Sequence, residues 1–145
     1  MTDTTSEPRQ VRLKDTIRHY VDFWNAEFAG DQRRLGAAAF EDIPEYHAPI
    51  GVMRGIEDLM AFRNEFAANM GPVEFRLRAE PELLEDRARV RWEILVGEAS
   101  FSEGTDVLLF GPNRRIDSVS AFLDRAPEGF DPHLHDEPVR SEGRW

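Results

Sequence analysis

The fold is decided by the stretch GTDVLLFGPNRRIDSVSAFLD, which occupies residues 104–124. Its two arms are rich in β-branched and aromatic residues, which are typical of strands. Between the arms stands Gly111-Pro112-Asn113, and these residue types favour a tight turn. The stretch therefore predicts an antiparallel hairpin with strands at about residues 100–110 and 115–123.

Two earlier segments extend the sheet. Apolar and charged side chains alternate along residues 73–78 and again along residues 89–96, and Gly97 and Glu98 predict a turn after the second segment. This period of two places one face of each strand in a core and the other face in water. The chain beyond residue 72 therefore predicts a meander of antiparallel strands.

Helical spacing of apolar residues dominates the first half of the chain. It predicts helices at about residues 11–28, 32–39 and 56–70. Gly30 is expected to end the first helix in a left-handed conformation, and Asp31 is expected to cap the second. The inner side of the third helix is marked by Ile56, Leu59, Met60, Arg63 and Phe66.

Residues 41–55 separate the second and third helices and contain two prolines and two glycines. This composition predicts an irregular segment or a short strand, and Tyr46 and His47 belong to it. Helices that precede a run of antiparallel strands favour an α+β fold. We expect the helices to pack on the concave face of a curved, mostly antiparallel sheet and to enclose an apolar pocket.

The length of 145 residues and a hydrophobic content of 41% suit one folded domain. We predict a mobile tail at residues 1–9, the domain at residues 10–127 and a polar C-terminal tail at residues 128–145. The stretch His133-Leu134-His135-Asp136 lies in that Pro-containing tail without an evident third ligand, so no metal site is expected.

The charge and composition of the chain limit the classes of partner that it is expected to bind. A formal net charge of -10 disfavours binding to the phosphate backbone of nucleic acid. The chain has no cysteine and no apolar run near the ~18 residues of a membrane span, so disulfides and membrane insertion are not expected. It also lacks a Gly-rich phosphate loop. We predict a cytoplasmic protein that needs no cofactor.

Three segments together resemble a known family. The hairpin stretch, YHAPIG at residues 46–51 and RGIEDL at residues 54–59 are similar to SnoaL-like domains of the nuclear transport factor 2-like superfamily. The resemblance covers about residues 17–127 and implies a cone-shaped α+β barrel with a deep pocket between helices and sheet. Members include ketosteroid isomerase, scytalone dehydratase, polyketide cyclases, limonene epoxide hydrolase and proteins with no known activity.

Functional residues carry over from this family only in part. Asp106, four residues before Phe110, matches the aspartic acid that donates a hydrogen bond to the oxyanion in ketosteroid isomerase. Ala48 stands where that enzyme has its base. Its oxyanion tyrosine falls on Phe23, with Tyr20 one turn earlier. Steroid isomerisation is therefore not implied, and the acidic residue of the epoxide hydrolases likewise corresponds to Ala121.

The catalytic candidates are Asp106, His47 and Tyr46. Asp106 stands among apolar neighbours on a strand, so burial should raise its pKa and let it act as an acid, a base or an oxyanion donor. The alternative is a structural carboxylate bonded to a backbone N–H or an arginine. His47 is suited to proton transfer near neutral pH, or is an exposed loop residue. Alternation places Tyr46 and His47 on opposite sides.

A second set of residues predicts the wall of an apolar pocket. A flat apolar or aromatic metabolite would be bound by aromatic and aliphatic side chains, which could equally be plain core. The candidates for ligand binding are Tyr20, Phe23, Trp24, Phe66, Trp92, Ile94, Leu108 and Val119.

Two functions follow from these observations. The first is a cofactor-free isomerase, cyclase or dehydratase that acts on a small apolar metabolite through Asp106. The second is a non-catalytic ligand-binding or dimerisation domain in which Asp106 is structural. A homodimer is expected in either case, because Val107 and Leu109 leave the outer face of the last strands partly apolar, and because relatives of this kind commonly pair through the sheet.

Overall fold

Three helices and a seven-stranded sheet make up residues 6–129, which are the part of the chain that the computed structural model describes. The helices are α1 (Ser6–Asn25), α2 (Ala29–Ala39) and α3 (Ile56–Met70). The strands are β1 (Phe40–Ala48), β2 (Gly51–Arg54), β3 (Val73–Leu77), β4 (Glu82–Leu84), β5 (Arg87–Val96), β6 (Ala99–Phe110) and β7 (Ile116–Arg125).

The strands form one sheet in the order β2-β1-β7-β6-β5-β3, and β4 pairs with β5. All neighbours are antiparallel except β1 and β7, which run parallel. The helices contribute their apolar sides to the same core as the inner faces of the strands. The predicted α+β fold with a mostly antiparallel sheet is therefore confirmed.

The core joins α1 to the middle of the sheet. Leu13, Ile17 and Tyr20 follow one another at helical spacing and are at most 3% exposed. They meet strand residues such as Val90 and Leu108, both fully buried. Each large apolar side chain buried in this way contributes about 1.5–3 kcal/mol of transfer free energy. This packing holds α1 against the sheet and fixes where its inner side chains point.

The ends of the first two helices differ from the sequence prediction. α1 begins at Ser6, within the segment predicted as a tail, and it ends at Asn25. Pro8 is tolerated there because the N–H groups of a first helical turn have no intrahelical acceptor. Gly30 and Asp31 both lie inside the first turn of α2, whose N-cap is Phe28 in an extended conformation. The predicted glycine cap and aspartate cap are therefore wrong.

The segment predicted to be irregular or a short strand contains two strands, β1 and β2. β1 pairs with β2 on one edge and with β7 on the other. The register against β7 shifts between Phe40 and Glu45, and Pro44 lies at this irregularity, where its missing N–H breaks no ladder bond. Such an interruption lets a proline occupy an inner strand, which sequence pattern alone does not show.

A buried carboxylate fastens β1 to the β6–β7 turn. Glu41 is 8% exposed and accepts hydrogen bonds from the backbone N–H and the side-chain amide of Asn113, at 2.9 and 2.8 Å. A Cβ added to Gly111 would lie 2.7 Å from the Glu41 carboxylate, so this turn position needs glycine. These hydrogen bonds hold β1 beside β7 and so help to position Tyr46, which lies further along β1.

None of the helices within residues 6–129 is long and apolar enough to cross a membrane. Residues 1–5 and 130–145 lie outside the described part of the chain. The expectations for most of the two tails, including those for His133 and His135, belong to these residues. The predicted domain limits stay predictions.

Candidate functional site

A cavity of about 510 Å³ lies between the helices and the inner face of the sheet. Most of its wall is aromatic or aliphatic, and residues of α1, α3, β1, β3, β5, β6 and β7 contribute to it. Its volume lies within the range of small-molecule sites. Seven aromatic residues form much of the wall: Trp24, Tyr46, Phe62, Phe66, Phe75, Trp92 and Phe101.

Five of the predicted site residues line this cavity. They are Tyr46 from the catalytic set and Trp24, Phe66, Trp92 and Ile94 from the ligand-binding set. The remaining six predicted residues do not line it; these are Asp106, His47, Tyr20, Phe23, Leu108 and Val119.

Three of the predicted ligand-binding residues are plain core. Phe23, Leu108 and Val119 are at most 1% exposed and belong to the main apolar cluster. Phe23 packs edge-on against Trp24 and Phe40, on a side of α1 different from the cavity wall. Periodicity identified these residues as inward-facing, but it cannot separate residues that reach a cavity from residues that fill the space behind it.

Asp106 is enclosed behind the cavity wall. It is fully buried, and its two carboxylate oxygens accept hydrogen bonds from the Tyr20 hydroxyl at 2.5 Å and from the Trp92 indole N–H at 2.7 Å. Burial raises the pKa of Asp106 to about 7, and the bonds from Tyr20 and Trp92 oppose that rise. A ligand in the cavity therefore reaches Asp106 only through these two side chains.

A glycine on β6 allows this arrangement. Gly104 lies opposite Trp92 in the β5–β6 ladder. A Cβ at Gly104 would lie 2.1 Å from Cζ2 of Trp92, so the indole lies across the bare glycine backbone. Phe75 stacks on the indole, with ring centroids 5.8 Å apart. The glycine and the phenylalanine together hold the indole N–H toward Asp106.

Arg78 closes the same region from outside the core. The guanidinium donates to the backbone carbonyls of Trp92 and Gly104, both at 2.8 Å, and to the Asp124 carboxylate at 2.7 Å. The β6–β7 register shifts between Glu103 and Gly104, so this carbonyl falls at an irregularity of the ladder. Arg78 thus joins β5, β6 and β7 at the point where Trp92 crosses Gly104.

Tyr46 lines the cavity and also interacts with the buried pair of Tyr20 and Asp106. Burial, followed by the charge of Asp106, raises the pKa of Tyr46 well above its ordinary value, and the Tyr20 hydroxyl opposes the rise. The pKa of Tyr20 is raised by burial and by the charges of Asp106 and Tyr46. Both phenols are therefore protonated at neutral pH, and Tyr46 is a lining residue that carries a hydrogen-bond donor.

Trp24 lines the cavity with its ring, and its indole nitrogen is buried. Its side chain lines the cavity and is 6% exposed, and its Nε1 has no hydrogen-bond partner within residues 6–129. The indole opposes the rise in the pKa of Tyr20, so it lies toward that hydroxyl. The indole nitrogen is therefore directed into the protein beside Tyr20, and the ring of Trp24 contributes apolar surface to the cavity.

His47 points away from the cavity. Its side chain is 48% exposed, and its Nε2 lies 3.2 Å from the Glu45 carboxylate, with which it shares the outer face of β1. Because successive strand residues face opposite sides, placing Tyr46 in the cavity puts His47 outside. The two catalytic candidates from this segment are therefore separated, and His47 is not near Asp106.

Sequence reasoning missed the polar groups of the cavity wall itself. Arg63, Ser102 and Glu128 line the cavity together with its apolar residues. An arginine within the apolar inner stripe of α3 was a signal that could have identified Arg63. Ser102 and Glu128 carried no comparable signal, because their positions depend on the register of β6 and on the path of the chain after β7.

The described residues do not assemble a metal site. Within residues 6–129 no three side chains of the His, Asp or Glu type lie close enough together to bind a metal ion. The polar side chains along the cavity wall are those of Tyr46, Arg63, Ser102 and Glu128.

Known structures share this architecture. A proposed isomerase of the SnoaL-like family from Agrobacterium tumefaciens str. C58 is 23% identical, covers 79% of this chain and 98% of its own, and superposes with a TM-score of 0.71. An NTF2-like protein of unknown function from Exiguobacterium sp. 255-15 is 18% identical over 75% of this chain and 98% of its own, with a TM-score of 0.62.

The chain has the SnoaL-like, NTF2-like fold. A proposed SnoaL-like polyketide cyclase from Jannaschia sp. CCS1 agrees, with 12% identity, coverage of 79% of this chain and 86% of its own, and a TM-score of 0.60. No protein-family model and no curated protein matches the sequence. The resemblance read from the sequence is thus confirmed for the SnoaL-like fold, which many different functions share.

Proposed function

We propose that this protein binds a small apolar or aromatic metabolite and polarises one oxygen of that ligand with the Tyr46 hydroxyl, as a cofactor-free isomerase or cyclase would. The observation that carries the proposal is the cavity of about 510 Å³, whose apolar wall includes Tyr46. The names of the similar structures, a proposed isomerase and a proposed polyketide cyclase, support the same reaction class.

Asp106 acts through its neighbours in this proposal. Its carboxylate accepts the Tyr20 hydroxyl, so it fixes the orientation of that phenol beside Tyr46. When Asp106 is protonated, it can donate to the Tyr20 oxygen and leave the Tyr20 proton for the next acceptor. Protonation of Asp106 would thereby strengthen Tyr46 as a hydrogen-bond donor to a ligand carbonyl.

The reaction that fits these groups is proton transfer beside a carbonyl. The C–H bond next to the carbonyl breaks, its proton passes to a base, and the resulting enolate oxygen accepts a hydrogen bond from Tyr46. Glu128 is the carboxylate among the lining residues, and it is exposed. A ligand that uses Glu128 as the base would extend from Tyr46 to the exposed part of the wall.

A second candidate function is non-catalytic ligand binding. It is favoured by the complete hydrogen bonding of Asp106, whose two oxygens are both occupied by side-chain donors. In that case the carboxylate stabilises the arrangement of α1 and β5 and takes no part in chemistry. The two candidates share the cavity and differ in whether a bound ligand exchanges protons.

The test uses 2-acetylnaphthalene, a flat aromatic ketone, in deuterated buffer. Calorimetry measures its binding, and proton NMR measures loss of the methyl signal as deuterium replaces the hydrogens next to the carbonyl. We expect binding and exchange above the buffer rate, and we expect Tyr46→Phe to slow the exchange by about tenfold or more while it changes affinity little. His47→Gln, on the outer face of β1, is the matched control and should behave as wild type.

Binding without exchange would assign the second candidate. If 2-acetylnaphthalene and other flat apolar ketones of similar size fail to bind, the cavity is not a site for such ligands and the proposal is wrong. If Tyr46→Phe exchanges deuterium as fast as wild type, Tyr46 has no part in the reaction.

A further inference from the structure

Arg63 is the basic residue of the cavity wall. It lies on α3, and its guanidinium is partly desolvated, because burial lowers its pKa while the charge of Glu27 opposes that change. Its Nε donates to the Trp24 carbonyl at 3.0 Å and its Nη1 donates to Asn64 Oδ1 at 3.2 Å. Two neutral acceptors therefore hold the guanidinium in place, and the Glu27 carboxylate acts on its charge without forming an ion pair with it.

Arg63 differs from the surface arginines that pair with carboxylates. Arg33 and Arg76 pair with Glu57 and Glu93 at 2.9 and 3.1 Å. Within residues 6–129 no carboxylate oxygen lies within 4.0 Å of the Arg63 guanidinium, although Glu128 also lines the cavity. A partly buried cation without a counter-ion has a cost that a bound anion would offset.

We infer that the cavity selects apolar ligands that carry a carboxylate, and that this carboxylate pairs with the free Nη donors of Arg63. The inference rests on the proposed function, since it names the class of ligand for the same cavity. A carboxylate accepts well from guanidinium N–H groups, and the pair is stronger inside an apolar wall than in water. The apolar body of the ligand would then lie along the aromatic wall toward Tyr46.

The experiment compares two matched probes, 2-naphthylacetic acid and 2-naphthylacetamide. They have the same ring system and nearly the same size, and at pH 8 only the acid is charged. Calorimetry on the full-length wild type should show that the acid binds about tenfold more tightly than the amide, the ratio that a single charge-assisted hydrogen bond supports. High salt should reduce this ratio, because ions screen the pair.

Three variants assign the preference to Arg63. Arg63→Gln should bring the ratio of the two affinities to about one, since a neutral amide cannot discriminate charge at this position. Arg63→Lys should keep part of the preference, because the charge remains while the fixed guanidinium geometry is lost. Arg33→Gln removes an arginine of α2 that pairs with Glu57 outside the cavity, and it should keep the wild-type ratio. Circular dichroism verifies that each variant is folded.

The outcomes separate failure of the carboxylate preference from failure of ligand binding itself. If the wild type binds both probes equally, or if Arg63→Gln weakens both equally, the inference about carboxylates is wrong while ligand binding stands. If the wild type binds neither of these probes nor 2-acetylnaphthalene, the proposed function itself fails. Should Arg63→Gln not fold, the salt dependence in wild type and the ratio in Arg63→Lys still decide, since a salt-independent ratio of one overturns the inference.

Discussion

At the scale of single residues, Asp106 is a fully buried carboxyl group. Its environment allows both the protonated and the ionised form near neutral pH. A fully buried carboxylate without a cation nearby loses its hydration, and two hydrogen bonds compensate only part of the loss. The result is a pKa of about 7, with burial as the main cause. A change in pH near neutrality therefore changes the charge of Asp106.

Asp106 should make the protein less stable as the pH rises. Its pKa is about 7 in the folded chain and about 3.9 in an unfolded chain. Between these values the folded state keeps the proton that the unfolded state has released, so the free energy of unfolding falls as the pH rises from about 4 to about 7. The loss is of the order of up to 4 kcal/mol. Urea unfolding at pH 5 and pH 8 measures it.

Asp106→Asn should flatten this dependence. The amide oxygen can accept from Trp92 while its N–H₂ donates to the Tyr20 oxygen, because a phenol is both donor and acceptor. The variant should then lose less stability than wild type between pH 5 and pH 8. Asp117→Asn, at an exposed aspartate of β7, is the control. An equal loss in the Asp106 variant and wild type would show that Asp106 is ionised throughout this range.

At the scale of the elements, the pairing of β5 with β6 determines the inner wall of the cavity. Trp92 can cross β6 only where the strand has no side chain, and Gly104 provides that position. The indole then meets Asp106 two residues further along β6. Cavity shape and the hydrogen bonding of Asp106 are therefore consequences of one strand register.

Gly104→Ala tests this dependence. The new methyl carbon would lie 2.1 Å from Cζ2 of Trp92 and 2.5 Å from the backbone oxygen of Phe122. The indole must therefore move. We expect a loss of about 1–3 kcal/mol, typical of an overpacked core, and a change in tryptophan fluorescence. Gly30→Ala on α2 has open space around the new methyl and should be neutral or stabilising. Equal stability of both variants would contradict the account of Trp92.

The helices and strands also differ in how well the amino-acid pattern predicted them. α3 and the alternating strands were correct to within a few residues, because their apolar periods are uninterrupted. β1 was not predicted as a regular strand, since Pro44 is tolerated only through a register irregularity that involves β7, more than seventy residues away. Asp106 was predicted to face inward, and the sequence left open whether Tyr46 or His47 does. That Tyr46 lines the cavity and Asp106 does not depends on the register of β1 and on the position of Trp92.

At the scale of the whole molecule, the outer face of the sheet carries exposed apolar side chains. Val107 is 37% exposed and Phe122 is 58% exposed on neighbouring strands of this face. Arg89 of β5 lies opposite Val107 on one side, and Ser120 of β7 lies opposite it on the other. An apolar centre with charged residues beside it is typical of an interface between subunits, and a homodimer through this face is our proposal.

Val107→Asp should dissociate the dimer without unfolding the subunit. In the dimer a carboxylate would enter an apolar contact without a partner, which is costly. In the separate subunit the same carboxylate would be exposed beside Arg89, so folding should be preserved. Arg76→Asp on β3 changes an exposed side chain away from the apolar centre and should disturb the dimer less. Sedimentation equilibrium over a concentration series measures both, and a wild-type chain that stays monomeric at high micromolar concentration would exclude the dimer.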